Sequence, residues 1–436
     1  MLKNKIVKSI LSLISVGLIV KAISIIAKVI TTRILHEEAM GIYMLVNPTM
    51  VFLINISQIS LQTVMAKLIA SKENTEKVIV TSTILITIIT LFFMALIIAF
   101  APSFAQIFLK NEKCVYALYG FALLLPLISI GTIIKGYYAG IGKIEITAYS
   151  QVSEEIGRLA FIIAFGSYFL NISPAYGALA AIYSLCFGEI CSLTHMFIAL
   201  KNNTRSKPKS FFKSIKEKTN YIFKKILGIS IPLTSSRLID SFTYFLEPII
   251  MTSLLIKQGL SVDEITLEYG MFTAYVLPLL LMPSFFSTSY GKVLLLEMSK
   301  AESDKKHQKS LKLFNNFTLL SLGTGLIFTL AMFFFPKQLL QILFKTTKGA
   351  KYVRILSFPF LLYYLEAPLH AAMTSLNLEK NDFIVCLSSS IVRIISLILL
   401  LPIYNVFAVI LATLIGIVVH VSMSMFYVYR RLIYNN

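Results

Sequence analysis

Long apolar stretches recur along the whole chain, and each is long enough to cross a lipid bilayer. About 20 predominantly apolar residues suffice for a transmembrane helix, and repeated stretches of this kind are typical of helical membrane proteins. Twelve spans can be counted, at residues 8–32, 42–70, 78–101, 115–139, 149–170, 175–200, 224–256, 267–295, 311–335, 352–376, 382–401 and 405–429. The sequence therefore predicts an all-α polytopic membrane protein.

The charges favour membrane residence over nucleic-acid binding. The chain is 57% hydrophobic and only 14% charged, whereas soluble domains are about 25% charged. The net charge is +19, but the basic residues lie mainly in short loops between apolar stretches, where Lys and Arg set the orientation of the spans. Their distribution predicts a multi-pass protein of the cytoplasmic membrane with both termini in the cytoplasm. One predicted external loop runs against this rule, with Lys337, Lys345, Lys348 and Lys351.

Sequence motifs of metal sites and nucleotide hydrolysis are absent. The four cysteines form no CxxC pair and the five histidines form no HExxH motif, so no zinc-site motif is present. The GxxxxGK[ST] motif of a phosphate-binding loop does not occur either. We therefore expect no enzyme activity and no cofactor. A coupling ion of unknown identity stays open.

The chain repeats itself at an interval of about 235 residues. Residues 102–126 resemble residues 336–359, and Arg158 matches Arg393. This repeat predicts two six-helix halves of parallel orientation, at residues 1–200 and 224–436. Parallel repeats predict two pseudo-symmetric bundles around a central cavity, with a substrate site between them.

The segment that joins the halves, residues 201–223, is rich in Lys and Arg with interspersed aromatic residues. One interpretation is an amphipathic helix on the anionic inner leaflet. The other is a solvated linker whose lysines only enforce topology.

Three charges interrupt the seventh span. Arg237, Asp240 and Glu247 lie within about 80° of one another on a helix, and Pro232 and Pro248 on either side predict a broken helix. Three charges facing lipid would cost roughly 8–10 kcal/mol on the insertion scale. The charges should therefore face a polar cavity or form an internal salt-bridged network. Arg237 is the candidate for binding phosphate, with the two carboxylates setting the charge of the site.

The first span carries Lys21 and Lys28 on one face, and Arg33 follows near its outer end. Seven residues separate the two lysines, which places them within about 20° and about 10 Å of each other along the helix. Such a cationic strip suits a phosphate group. The alternative is snorkelling to the interface, which fits Arg33 and Lys28 better than Lys21.

Other polar residues in the spans are weaker candidates. Asn55, Gln58 and Gln62 share a face that suits either a polar wall or helix packing, and Glu366 lies beside a proline break. Glu154 and Arg158, four residues apart, are expected to pair near the cytoplasmic surface. For three isolated polar residues we expect internal hydrogen bonds, namely Glu189, His195 and His420.

A set of short segments, in a common order across nearly the whole chain, resembles the stage V sporulation protein B family within the multidrug/oligosaccharidyl-lipid/polysaccharide (MOP) exporter superfamily. In the first half these segments are Gly41-Ile42-Tyr43-Met44 with Pro48, Ala66-Lys67-Leu68, and Gly136-Tyr137-Tyr138-Ala139-Gly140 followed by Ser150-Gln151. In the second half they are Ser236-Arg237, Phe245-Leu246-Glu247-Pro248, Tyr269-Gly270, Leu277 to Pro283-Ser284, and Leu361-Leu362-Tyr363-Tyr364 to Leu376-Asn377-Leu378. The sequence departs from the family at residues 56–60, ISQIS, where a glycine-rich loop is usual, and it has twelve spans where some relatives have fourteen.

The resemblance implies a flippase of the polysaccharide biosynthesis branch, working by alternating access. Its substrate would be an undecaprenyl-diphosphate-linked sugar or peptidoglycan precursor for cell-envelope or spore-cortex synthesis. Expected partners are this lipid-linked substrate, membrane lipids and envelope-synthesis enzymes, and no nucleic acid is expected. Two alternatives stay open, namely an ion-coupled drug or metabolite exporter and a non-transporting membrane scaffold. A membrane glycosyltransferase is disfavoured because no external acidic cluster could bind its metal.

Overall fold

A computed structural model of the protein describes residues 2–71, 73–203 and 220–434. Internal packing groups the chain into two compact units, Met1–Phe245 and Leu246–Asn436. The described part of the chain contains helices and turns but no strand, which confirms the predicted all-α class. Most of the predicted basic linker lies outside the described residues.

The first unit is built from six helices and the start of a seventh. These are α1 Leu2–Gln58, α2 Leu61–Ala70, α3 Thr75–Ile107, α4 Val115–Gly140, α5 Ile144–Ile172, α6 Pro174–Asn203 and α7 Asn220–Lys257. α1 contains the first predicted span and most of the second, with a break in backbone geometry at His36, where φ is 57°. A second break separates α1 from α2, because Ile59 and Ser60 both have positive φ.

The second unit contains the end of α7 and the remaining helices. These are α8 Val262–Gly270, a π-helical stretch Met271–Val276, α9 Leu277–Leu281, α10 Ser284–Ser303, α11 His307–Phe334, α12 Pro336–Phe344, α13 Ala350–Ser357, a 3₁₀ stretch Pro359–Leu365, α14 Glu366–Ser375, α15 Glu379–Tyr404 and α16 Phe407–Tyr434. The chain bends by 48° between α9 and α10.

Nine helical stretches in the described residues are long and apolar enough to cross a membrane, or ten with the bent pair. The difference from twelve has two sources. The first two predicted spans are joined through His36 and count together. The predicted span at 352–376 is divided among α13, the 3₁₀ stretch and α14, so that no single piece is long enough.

α7 is one continuous helix, so the break predicted from Pro232 and Pro248 is wrong. A proline removes one backbone hydrogen bond, but in lipid the neighbouring bonds of the helix have no substitute partner and hold it together. The start of α7 packs on the first unit: Ile222 and Ile226 join a buried cluster with residues of α2 and α3. The division of the chain into two halves at residues 201–223 was inferred from the sequence repeat, and it stays a prediction.

Candidate functional site

A network of buried charges joins α4, α5 and α6 in the first unit. The Lys135 Nζ atom on α4 lies 3.1 Å from Glu189 Oε1 on α6 and 3.6 Å from Glu154 Oε2 on α5. On α5, the Arg158 guanidinium binds Glu154 and lies 3.2 Å from Glu155 Oε1. The Glu189 side chain is only 5% exposed, so these charges stabilise one another away from water.

The helices approach closely enough for this network because small residues lie between them. A Cβ atom on Gly188 of α6 would meet Arg158 Cγ at 2.5 Å and the Glu154 carbonyl oxygen at 2.7 Å. In the second unit, a Cβ atom on Gly416 of α16 would meet Arg393 Cβ at 3.3 Å. The two arginines matched by the sequence repeat therefore each lie against a glycine of the following helix.

The predicted cationic strip on α1 lies beside this network. Lys21 is exposed and interacts electrostatically with Glu155, which also accepts a hydrogen bond from Ser24. Lys28 is exposed as well, whereas Arg33 is half-buried and has an interaction partner. The network alone has two cations and three carboxylates, so Lys21 balances its charge.

The three charges of α7 have different surroundings. Arg237 and Asp240 are exposed, and Asp240 takes part in an interaction within the protein. Glu247 is 4% exposed, and in the second unit it accepts bonds from the Arg393 guanidinium and from the Tyr269 hydroxyl at 3.5 Å. Of the three, Arg237 and Asp240 are accessible to a ligand, and Glu247 forms a structural ion pair.

The remaining candidates divide between packing and accessible positions. Gln58 accepts a hydrogen bond from Thr132 and donates one to Ser129 Oγ at 3.1 Å, which supports the packing interpretation for this residue. Asn55 is half-buried and Gln62 is exposed. Glu366, at the start of α14, is half-buried and already has a partner.

Sequence reasoning missed Lys135 but predicted contacts of its neighbours. Glu154 and Arg158 do pair, as predicted, and they also contact further charges within the unit; their position near the cytoplasmic surface of the membrane stays a prediction. Glu189 does accept an internal hydrogen bond, as predicted, and the donor is the Lys135 ammonium group, so the two residues also form an ion pair. The His195 ring nitrogen Nδ1 lies 3.1 Å from Ser153 Oγ. A lysine inside the fourth predicted span was the available signal. Within the described residues no group of His, Cys, Asp or Glu is arranged to hold a metal ion.

The polysaccharide biosynthesis protein family matches residues 6–295, which is more than half of the chain. Stage V sporulation protein B of Bacillus subtilis (strain 168) is 28% identical over 400 residues, covering 90% of this chain and 77% of that protein. Sporulation protein YkvU of the same organism is 22% identical over 382 residues, covering 87% and 84%.

Two solved structures show the same fold. An inward-facing multidrug resistance MATE family transporter of the MOP superfamily superposes with a TM-score of 0.73 at 16% identity, covering 94% of both chains. The lipid II flippase MurJ, in an inward closed conformation, superposes with a TM-score of 0.70 at 14% identity, covering 95% of this chain and 87% of that one. The family match and the two relatives confirm the predicted family resemblance, and the two structures confirm the fold that it implies.

Proposed function

Because the chain belongs to the polysaccharide biosynthesis protein family, we propose that it flips a lipid-linked sugar diphosphate across the cytoplasmic membrane. The relatives and the shared fold support a flippase, and the undecaprenyl carrier is the expectation from the sequence resemblance. A diphosphate head cannot cross about 30 Å of hydrocarbon without groups that replace its hydration. Alternating access between the two sides, with both termini in the cytoplasm, is part of the proposal.

The observation that carries the proposal is the exposure of cations inside membrane-spanning helices. Lys21 and Lys28 on α1 and Arg237 on α7 are all exposed in the first unit. A cation at the centre of a membrane-spanning helix costs about 2.5–3.5 kcal/mol when it faces lipid, so the retention of exposed cations in these helices favours contact with an anion or a hydrated cavity.

The coupling energy is proposed to come from the membrane potential or an ion gradient. Each negative charge that moves outward through a potential that is negative inside gains about 2.3 kcal/mol per 100 mV. A diphosphate substrate would therefore be exported faster in vesicles with such an imposed potential than without it.

Reconstitution tests the proposal directly. Proteoliposomes are loaded with a fluorescent undecaprenyl-diphosphate sugar or, in parallel, with a fluorescent organic cation, and transport is followed with and without a potential. We expect the lipid-linked anion to be moved and Lys28→Ala and Arg237→Ala to slow transport by about tenfold, the effect of losing about 1.4 kcal/mol of binding. Lys28→Arg and Arg237→Lys are the matched controls that keep the charge. Transport of the organic cation alone would exclude the proposed function, whereas unchanged rates in both alanine variants would exclude a role of Lys28 and Arg237 in binding the substrate.

Lys21 needs a separate control because it also balances Glu155. Lys21→Ala leaves a surplus carboxylate in the network, whereas Lys21→Ala combined with Glu155→Gln restores neutrality. If Lys21 binds substrate, the double variant will fold normally and still transport slowly. Recovery of wild-type transport in the double variant would instead assign Lys21 a purely structural role.

A further inference from the structure

An apolar cavity of about 580 Å³ lies within the first unit. Its walls come from α1, α3 and α7, and they include Ile59, Ile88, Phe92, Ile231 and Leu238. Ile88 and Phe92 are each more than 60% exposed, and both belong to a membrane-spanning helix. The cavity therefore opens where the surroundings of the protein are hydrocarbon.

The polar side chains of the cavity wall have no spare hydrogen-bond donor for a polar ligand. The Thr234 hydroxyl donates to the Ser230 carbonyl oxygen at 2.8 Å, and the Ser235 hydroxyl donates to the Ile231 carbonyl oxygen at 2.8 Å. Both hydroxyls are thus engaged by their own helix, and the other lining residues are aliphatic or aromatic. A hydrocarbon chain is the ligand that such a wall can bind, because it needs no hydrogen-bond partner.

The break between α1 and α2 forms part of the wall. Ile56 and Ile59 line the cavity, and Ile59 has φ 44° while Ser60 has φ 50°. Positive φ is costly for a β-branched residue, and its persistence needs support from the surrounding structure. The Thr234 hydroxyl, 3.2 Å from Ser60 Oγ, supplies a contact from α7 to this break.

Two of the three helices that line the cavity carry a lysine on the N-terminal side of their lining residues. Lys224 precedes Ile231 by seven residues and Lys77 precedes Ile88 by eleven, so Lys224 lies within about 20° of Ile231, and Lys77 within about 20° of Ile88, around the axis of its helix. The axial distances are about 10 Å on α7 and about 16 Å on α3, comparable with half of the hydrocarbon thickness of about 30 Å. An anionic head at the membrane surface and a chain in the cavity match this arrangement.

We propose that the polyprenyl tail of the substrate lies in this cavity, with its diphosphate end directed toward Lys224 and Lys77. The proposal rests on the proposed function and adds a binding site for the tail within α1, α3 and α7. The site needs no helices beyond the twelve predicted from the sequence.

Photoaffinity labelling tests the site in the full-length protein. The probe is a polyprenyl diphosphate with a diazirine near the middle of its chain, added to protein in phosphatidylcholine nanodiscs. We expect labelled peptides that contain residues 88–93 and 231–238. Excess unlabelled polyprenyl diphosphate should suppress the label, and the same concentration of phosphatidylglycerol should not.

Two matched tryptophan variants separate filling of the cavity from general effects of the substitution. Ile88→Trp places a larger side chain in the wall, whereas Ile98→Trp changes an exposed isoleucine of the same helix outside the cavity. We expect about tenfold weaker labelling for Ile88→Trp, which corresponds to the displacement of about two buried methylene groups. Ile98→Trp should label as the wild type does.

The outcomes distinguish the tail site from the proposed function. Three outcomes would overturn the tail site: label outside the cavity, equal suppression by phosphatidylglycerol, or unchanged labelling of Ile88→Trp. Equal suppression by phosphatidylglycerol or unchanged labelling of Ile88→Trp would mean that the cavity holds bulk lipid. In each case, continued flipping of the polyprenyl substrate by the wild type would leave the proposed function standing. Absence of flipping for every polyprenyl diphosphate tested would remove the function itself.

Discussion

Replacing Lys135 by methionine should destabilise the first unit more than any other single change in its charge network. Lys135 Nζ contacts both carboxylate oxygens of Glu189, at 3.1 and 3.5 Å, and lies 3.6 Å from Glu154. Its removal leaves the Glu189 carboxylate, only 5% exposed, without its cation. Breaking a buried ion pair from one side costs about 3–5 kcal/mol because a buried charge is left uncompensated.

The same contacts predict an order among variants. Glu189→Gln should cost less than Lys135→Met, because Lys135 retains Glu154 as a partner. The double variant Lys135→Met, Glu189→Gln should recover much of the loss, since neither member of the pair then carries a charge. Lys300→Met is the matched control, because the Lys300 and Glu297 side chains are exposed and such pairs contribute about 0–1 kcal/mol.

The chain provides its own reporters of unfolding. It contains no tryptophan, but Cys114 and Cys186 are free and buried, so a thiol-reactive fluorophore will label them as the first unit opens. A loss of 3–5 kcal/mol should lower the Tm by roughly 6–20 °C in a unit of about this size. The reasoning is refuted if Lys135→Met unfolds within 2 °C of the Lys300→Met control, or if the double variant is no more stable than Lys135→Met.

Three further predictions concern packing, the second unit and topology. Gly188→Ala should destabilise the first unit by about 1–3 kcal/mol in thermal unfolding, because the new Cβ meets a backbone oxygen at 2.7 Å. Gly228→Ala is the control, because Gly228 has open space around it, and this change should be neutral or stabilising. Arg393→Ala should cost about 3–5 kcal/mol by leaving Glu247 buried and unpaired, and Glu247→Gln in the same chain should restore part of the Tm. A cysteine at Asp304, in a background without the native cysteines, should react with an impermeant maleimide from the cytoplasmic side only; labelling from outside would reverse the predicted orientation.

The sequence predicted the helices well and the breaks poorly. Apolar length alone gives the spans, because a backbone in lipid must satisfy its hydrogen bonds within the helix. Breaks depend on neighbours as well as on residue type. α7 continues through two prolines, while the second predicted span breaks at Ile59 and Ser60 without any glycine. The chain therefore breaks at this point although residues 56–60 lack the glycine that is usual in the family.

The charge network was only partly predictable for a related reason. Glu154 and Arg158 are four residues apart, so helix periodicity alone predicts their contact. Lys135 and Glu189 are 54 residues apart and meet only because α4 and α6 pack in the first unit. The exposed cations Lys21, Lys28 and Arg237 could be named from the sequence, since a charge in a long apolar stretch is recognisable alone. Whether they bind substrate stays a prediction.

The repeat places similar arginines in different charge environments, and this difference bears on the function. Arg158 binds carboxylates of its own helix, and the surplus negative charge is balanced by Lys21 from α1. Arg393 binds Glu247, a carboxylate from α7, so that pair is neutral by itself. The first unit therefore needs a cation from its first helix, while the pair in the second does not. An anionic substrate that binds Lys21 would compete with the electrostatic attraction of Glu155 for the same ammonium group. Neutralising Glu155 together with Lys21 removes that competition, which is why the double variant separates binding of substrate by Lys21 from its effect on the charge network.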